Sequence, residues 1–253
     1  MSYSEAILLI TVGTFAGFIN TVSGGGSLIT LPLLMFMGLP PIQANASNRI
    51  AIFIQNISAV QGFRSKGIFL FPFSLWLSCS ATFGAFIGAK LAVDIDPALF
   101  NKILAVIMLM VMAITILKPY IVGHKTRDDF SRKRLTISIF IFFFIGIYGG
   151  FIQAGIGFLM IAALTYVHGI SIAKTNSVKV FVVLCYTSIA LLVFIMDGVV
   201  RWEYGLVLAL GNALGGWIAS RWSVNKDDKV LRWILIISVF GLAIKLWFLN
   251  PAL

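Results

Sequence analysis

Asn45, Asn48, Arg49, Gln55 and Asn56 fall at i, i+3, i+4, i+10 and i+11 of one apolar stretch, which puts them on a single face of a helix. The other face, Ile50, Phe53, Ile54, Ile57 and Val60, is apolar. Later in the chain Asn176 and Lys179 repeat the pattern, with Tyr186 further along the same stripe. Asn176 matches Asn45 and Lys179 matches Asn48, so each copy offers an amide and a cation, Arg49 or Lys179. No acid lies near either cation in sequence. Amides beside an uncompensated cation suit an anionic ligand, and the arginine fork suits an oxyanion. A plainer reading stands beside this one. Asn and Gln also join membrane helices by hydrogen bonds, and Lys179 is close enough to the start of its segment to snorkel to an interface.

Glycine clusters precede both polar faces: Ser23-Gly24-Gly25-Gly26-Ser27, and Gly155-Ile156-Gly157. Glycine lets the backbone turn through positive φ and approach a ligand closely. The start of a following helix then presents N–H groups and a positive dipole end to an anion. The alternative is a kink that only lets helices pack. Asn20 and Gln153 stand at equivalent places just before the clusters, either contacting a ligand or capping freed backbone groups.

These residues recur in order: Gly17-Phe18-Ile19-Asn20, Gly24-Gly25-Gly26 and Asn45 to Arg49, then Gly150-Phe151-Ile152-Gln153, Gly155-Ile156-Gly157 and Asn176 to Lys179. A duplication with broken apolar segments at matching positions is the sequence pattern of a transporter's binding site.

The elements that hold them are set by composition. Of 253 residues, 60% are hydrophobic and 11% charged, and mean hydropathy is +1.01. Soluble domains carry about 25% charged residues, so this is an all-α integral membrane protein. Its 19 Lys and Arg against 9 acids fall in short hydrophilic breaks, which argues for membrane topology and against a nucleic-acid partner. Cys79 and Cys185 lie in apolar runs and read as packing residues. The N-terminus lacks a basic stretch and a cleavage site, so Ala6–Ile19 reads as a retained membrane segment.

The apolar segments are a (5–22), b (26–38), c (43–63), d (70–92) and e (99–119), then a′ (135–153), b′ (157–168), c′ (173–196), d′ (203–222) and e′ (231–249). Residues 1–120 form a first membrane repeat, 121–134 a cytoplasmic linker and 135–253 a second repeat, together one membrane domain. With the linker inside, Arg64, Lys66, Lys174, Arg221, Lys226, Lys229 and Arg232 fall inside, and Asp94, Asp96, Asp197 and Glu203 outside. Lys90, Lys102 and Arg201 are exceptions. Segments c and c′ then run in opposite directions, so the repeats are inverted and both termini lie on the extracytoplasmic side. Segments b and b′ are short for a hydrocarbon core of about 30 Å, and they either cross with tilt or re-enter. Gly84-x-x-x-Gly88 and Gly211-x-x-x-Gly215, at matching places in d and d′, are helix-packing signals.

Other chemistry finds no support. His124 and His168 lack ligand-spaced neighbours, so no metal is expected. Asp94, Asp96, Asp197, Asp227 and Asp228 sit at span ends, and there is no Ser/His/Asp or Cys/His grouping for an enzyme. No cofactor is expected.

On these residues the chain resembles the TauE/SafE sulfite exporters, also called the 4-toluene sulfonate uptake permease family. The likeness covers essentially the whole chain and rests on the paired glycine-rich starts, the Asn-containing starts of c and c′, and the Gly-x-x-x-Gly segments. It implies a secondary transporter of small sulfur-bearing anions such as sulfite or organosulfonates, in the cell inner membrane. Ile156 replaces the middle glycine of the second cluster, which separates the two copies.

The site expected on this reading comprises Asn20, Ser23, Gly24, Gly25, Gly26, Asn45, Asn48, Arg49, Gln153, Gly155, Gly157, Asn176 and Lys179. The partners expected are a small inorganic or organic anion and the lipid bilayer, with homo-oligomerisation left open. A membrane scaffold or assembly subunit, its polar faces meeting a partner helix, is the rival reading.

Overall fold

A computed structural model describes residues 1–96, 98–100 and 128–226, with the isolated positions 102, 103, 106, 230 and 233. Most of segments e and e′, residues 121–127 of the linker with His124, and Asp227, Asp228, Lys229 and Arg232 lie outside the described residues. Within them the order is α1 (Tyr3–Val22), α2 (Ser27–Phe36), α3 (Pro41–Arg64), α4 (Phe73–Asp94), α5 (Arg132–Phe151), α6 (Ile156–His168), α7 (Ile172–Met196) and α8 (Trp202–Val224). Each matches one apolar segment, from a to d and a′ to d′, within a few residues at either end.

The helix ends follow local chemistry. Ser2 caps α1 in a capping box with Glu5. Pro41 opens α3, where its missing N–H costs nothing. Gly155 (φ 69°) and Gly169 (φ 64°) bracket α6 in the left-handed region.

Helices α1, α4, α5 and α7 are long and apolar enough to cross a membrane. Helices α2 and α6, of 10 and 13 residues, reach only about 15 and 20 Å at the α-helical rise. Helix α3 is 24 residues long, but it carries the polar face, and that face is turned inward: Asn45, Asn48, Arg49, Gln55 and Asn56 are all buried. A polar membrane helix is tolerable only when its polar groups face protein or water.

Packing crosses the boundary between the sequence halves. Helix α4 lies along α5 and α7, and α8 lies along α1 and α3. Two bundles result, one of α1, α2, α3 and α8, the other of α4, α5, α6 and α7, meeting where α3 crosses α7. Glycines bring the exchanged helices into backbone contact. Gly84 and Gly88 of α4 lie beneath the carbonyls of Phe143 and Ile147, while Gly146 and Gly150 of α5 lie beneath those of Ala81 and Ala85. The other bundle repeats the arrangement, with Gly211 and Gly215 of α8 against Ile10 and Thr14, and Gly13 and Gly17 of α1 against Leu208 and Asn212. Lipid tails are as apolar as leucine, so such close approach is a main source of helix affinity in a bilayer. The glycine pairs of d and d′ therefore pack against a second set in a′ and a. Cys79 is exposed and Cys185 half-buried, and both are free.

Candidate functional site

The two helix breaks meet at the centre. A Cβ on Gly24 would collide with Gly157 Cα, and one on Gly157 with Gly24 Cα. Gly24 has φ 88°, which suits glycine alone. Ser27, the first residue of α2, bridges the breaks: its Oγ donates to the Gln153 carbonyl (3.3 Å) and accepts from Gly155 N–H (3.4 Å). Gln153 itself holds the left-handed conformation at φ 66°, an uncommon posture for a residue with a side chain. The starts of α2 and α6 thus lie within one small region, where Leu28, Ile29 and Thr30 N–H donate to the Gly25 and Gly26 carbonyls, and Ile156 and Phe158 N–H to those of Gln153 and Gly155.

A cavity of about 10 Å³ lies here, lined by Asn20, Ser27, Ile52, Asn56, Gln153, Ile156, Gly157, Lys179 and Val183. That is room for about one water molecule. The conformation is closed around the site.

Lys179 supplies its charge. The Nζ donates to the carbonyls of Asn20 (2.9 Å) and Thr21 (2.8 Å) and to Asn176 Oδ1 (2.8 Å). Three acceptors use all three protons of an ammonium group. Asn176 Nδ2 in turn donates to the carbonyl of Val22 (2.8 Å), the last residue of α1. Lys179 does not snorkel, since it is only 2% exposed.

The first half mirrors this with different groups. Arg49 donates to the Gly150 carbonyl (2.6 Å) and to Gln153 Oε1 (3.3 Å), and lies 4.8 Å over the Phe194 ring. Asn45 Nδ2 donates to the carbonyl of Phe151 (2.8 Å), the last residue of α5. Each third helix therefore plugs a cation and an amide into the C-terminal end of the other bundle's broken helix. Those carbonyls and the negative dipole end stabilise positive charge. The ion pairs among the described residues, Arg134–Asp129 and Lys174–Asp128, lie elsewhere.

Of the expected residues, Asn20, Gln153, Gly157 and Lys179 line the cavity. Arg49 stands behind Gln153. Asn45 and Asn176 hold helix ends, and Ser23 Oγ donates to its own helix at the Ile19 carbonyl (2.8 Å). Gly26 precedes α2 with no room for a side chain against Ala16 and Asn20, and Gly155 caps α6. Gly25 is buried between Gly24 and Gly26. Asn48 is buried, with an Oδ1 that meets no donor among the described residues; Arg49 Nε and the Tyr186 hydroxyl are likewise unpartnered there.

Sequence reasoning left out Ser27 and Asn56 as cavity residues. Ser27 follows the glycines directly, and Asn56 lies on the polar stripe, where it was equally a helix-joining amide. Its Nδ2 does donate to the Ile52 carbonyl (2.7 Å). Gln55 is a junction: Oε1 accepts from Asn20 (3.2 Å) and Asn212 (3.3 Å), and Nε2 donates to Thr21 Oγ1 (3.3 Å).

His168 ends α6 as a structural clasp. Its ring nitrogens meet the Asp129 carbonyl and Ser138 Oγ, each at 2.7 Å, and Phe73 and Phe130 flank the ring.

The profile of the sulfite exporter TauE/SafE family matches residues 9–246. The chain belongs to the TauE/SafE family. Relatives include the "Probable membrane transporter protein ORF9" of Sinorhizobium sp, 27% identical over 97% of this chain and 94% of the relative. A "Probable membrane transporter protein" of Haemophilus influenzae is 27% identical over 94% and 93% of the two chains. The Escherichia coli K12 "Probable membrane transporter protein YfcA" is 28% identical over 91% and 85%. No solved structure is a significant match. This TauE/SafE member is thus a multi-pass membrane protein among probable transporters.

Proposed function

We propose that the protein is a secondary transporter, operating as an exporter of small sulfur-containing anions such as sulfite or organosulfonates, in the cell inner membrane. Two inverted repeats give alternating access to an anion held at the cavity between the breaks. Lys179 pairs with the anion's charge. Asn20, Asn56 and Gln153 donate their second amide protons to its oxygens, and the starts of α2 and α6 face it with their positive dipole ends. Arg49 fixes Gln153, and Asn45, Asn48 and Asn176 hold the helices that frame the site.

The observation that carries this reading is the buried Lys179 ammonium on a cavity where two helix N-termini converge, with no acid lining it among the described residues. A buried ammonium held by carbonyls, with no carboxylate beside it, favours a ligand that brings negative charge. The membrane name attached to the relatives and the family's description agree with it.

A thermal-shift screen of the purified protein against sulfite, thiosulfate, sulfate, sulfonates and carboxylates tests it. A concentration-dependent rise in melting temperature with a sulfur oxyanion, lost in Lys179→Gln, is the expected result. A flat response to every anion contradicts the reading.

A further inference from the structure

We propose that the empty carrier is locked, so that the protein exchanges one small anion for another across the membrane instead of carrying anions one way. This rests on the cavity being the anion site and adds a rule for the return step.

The lock is the polar boundary between the two bundles. Lys179, on α7, is seated on the Asn20 and Thr21 carbonyls of α1. Arg49, on α3, is seated on the Gly150 carbonyl in the last turn of α5. Asn176 holds the Val22 carbonyl, Asn45 holds the Phe151 carbonyl, and Ser27 holds the Gln153 carbonyl. All five ties run from one bundle to the other, and all end on main-chain oxygens at a helix break. Within each bundle, by contrast, the exchanged fourth helix packs by glycine against backbone, which suits rigid-body motion.

Rocking one bundle against the other takes these cations off their carbonyls. Around Lys179, the facing groups from α1, α2, α3, the break between α5 and α6, and α6 are Asn20, Ser27, Asn56, Gln153 and Gly157, with no carboxylate among them. A cation lifted from its acceptors inside a membrane needs substitutes. An arriving anion brings several oxygens and a compensating charge, so the loaded carrier can part its bundles. The empty carrier has space for about one water, and one water cannot replace the two inter-bundle acceptors at Lys179 and two more at Arg49.

Exchange separates from net movement in proteoliposomes. Entry of ³⁵S-sulfite is measured into vesicles preloaded with unlabelled sulfite and into vesicles holding only a zwitterionic buffer. The expected result is entry about ten-fold or more faster into the preloaded vesicles, the scale of one hydrogen bond to a charged group. Asn45→Ala and Asn176→Ala each remove a tie and keep both cations; they bring the ratio toward one by raising entry into unloaded vesicles. Size-exclusion profiles matching wild type control for folding. Equal wild-type entry into both vesicle types overturns the lock while leaving the transport reading standing. A high wild-type ratio that neither variant lowers overturns the role given to the ties. Entry into neither type overturns the transport reading, and the exchange rule with it.

Discussion

The ammonium of Lys179 lies 2.9 Å from the carbonyl oxygen of Asn20, joining a helix of the second sequence half to the broken end of a helix from the first. The charge is satisfied by main-chain oxygens and a side-chain amide, in a wall shared with the closed cavity. An anion that enters this wall competes with carbonyls, not with a carboxylate.

Arg49 and Lys179 should respond differently to removal. Arg49→Met leaves Gly150 O and Gln153 Oε1 without their donor in a dry interior, at about 1–3 kcal/mol for each acceptor. Chemical denaturation in detergent should therefore show a large loss of stability. Lys179→Met strips three acceptors and, like Arg49→Met, removes a buried charge that no acid among the described residues pairs with. Both should lose stability; they separate in anion response, which Lys179→Met should lose because Lys179 lines the cavity and Arg49 stands behind Gln153.

The contact between Gly24 and Gly157 predicts low tolerance at both. Gly157→Ala should cost about 1–3 kcal/mol from overpacking alone, because the new methyl meets Gly24 Cα. Gly24→Ala adds the left-handed φ of 88° to the same collision and should be worse. Gly38→Ala is the control: φ is 91° but nothing lies within 4 Å, so only about 1–2 kcal/mol of backbone strain is expected. Melting temperatures in one detergent would rank the three.

How much of this was legible beforehand depends on range. Helix placement came directly from apolar runs, and the burial of Asn45 through Asn56 followed from their common face. The glycine pairs in d and d′ announced helix contact, but not with which partner. Exchange of α4 and α8 between bundles depends on Gly13, Gly17, Gly146 and Gly150, which stand in segments read mainly for their breaks. The reading of Arg49 and Lys179 as uncompensated also looked only at neighbours in sequence. Carbonyls at a helix end carry no residue-type signature, so their capture of both cations appears only in three dimensions.

The exchanged helices predict a paired sensitivity. Gly88→Leu should force α4 from the Ile147 carbonyl, and Gly215→Leu should force α8 from the Thr14 carbonyl. Both variants should lose folded protein on size-exclusion chromatography. Leucine at Gly67, where φ is 73° but nothing lies within 4 Å, should cost only about 1–2 kcal/mol of backbone strain and keep most of the folded peak.

Acid should loosen the clasp at the start of α5. The Ser131 N–H, aided by Arg134, holds the Asp129 carboxyl below its usual range. A depressed carboxyl contributes stability that is fully present above its ordinary value of about 3.9 and is lost as pH falls through the lower folded value. Asp129→Asn should therefore flatten the acid limb of a plot of melting temperature against pH, with little change in its slope near neutrality. An acid limb identical to wild type would exclude Asp129 as a contributor.

The claim at the centre is that Lys179 and the two helix breaks form one anion site. Equilibrium binding of ³⁵S-sulfite to purified protein, wild type beside Lys179→Gln and Lys179→Arg, tests it most directly. Saturable binding to wild type, absent in Lys179→Gln and partly restored in Lys179→Arg, is the result predicted. Saturable binding that Lys179→Gln leaves unchanged would contradict it.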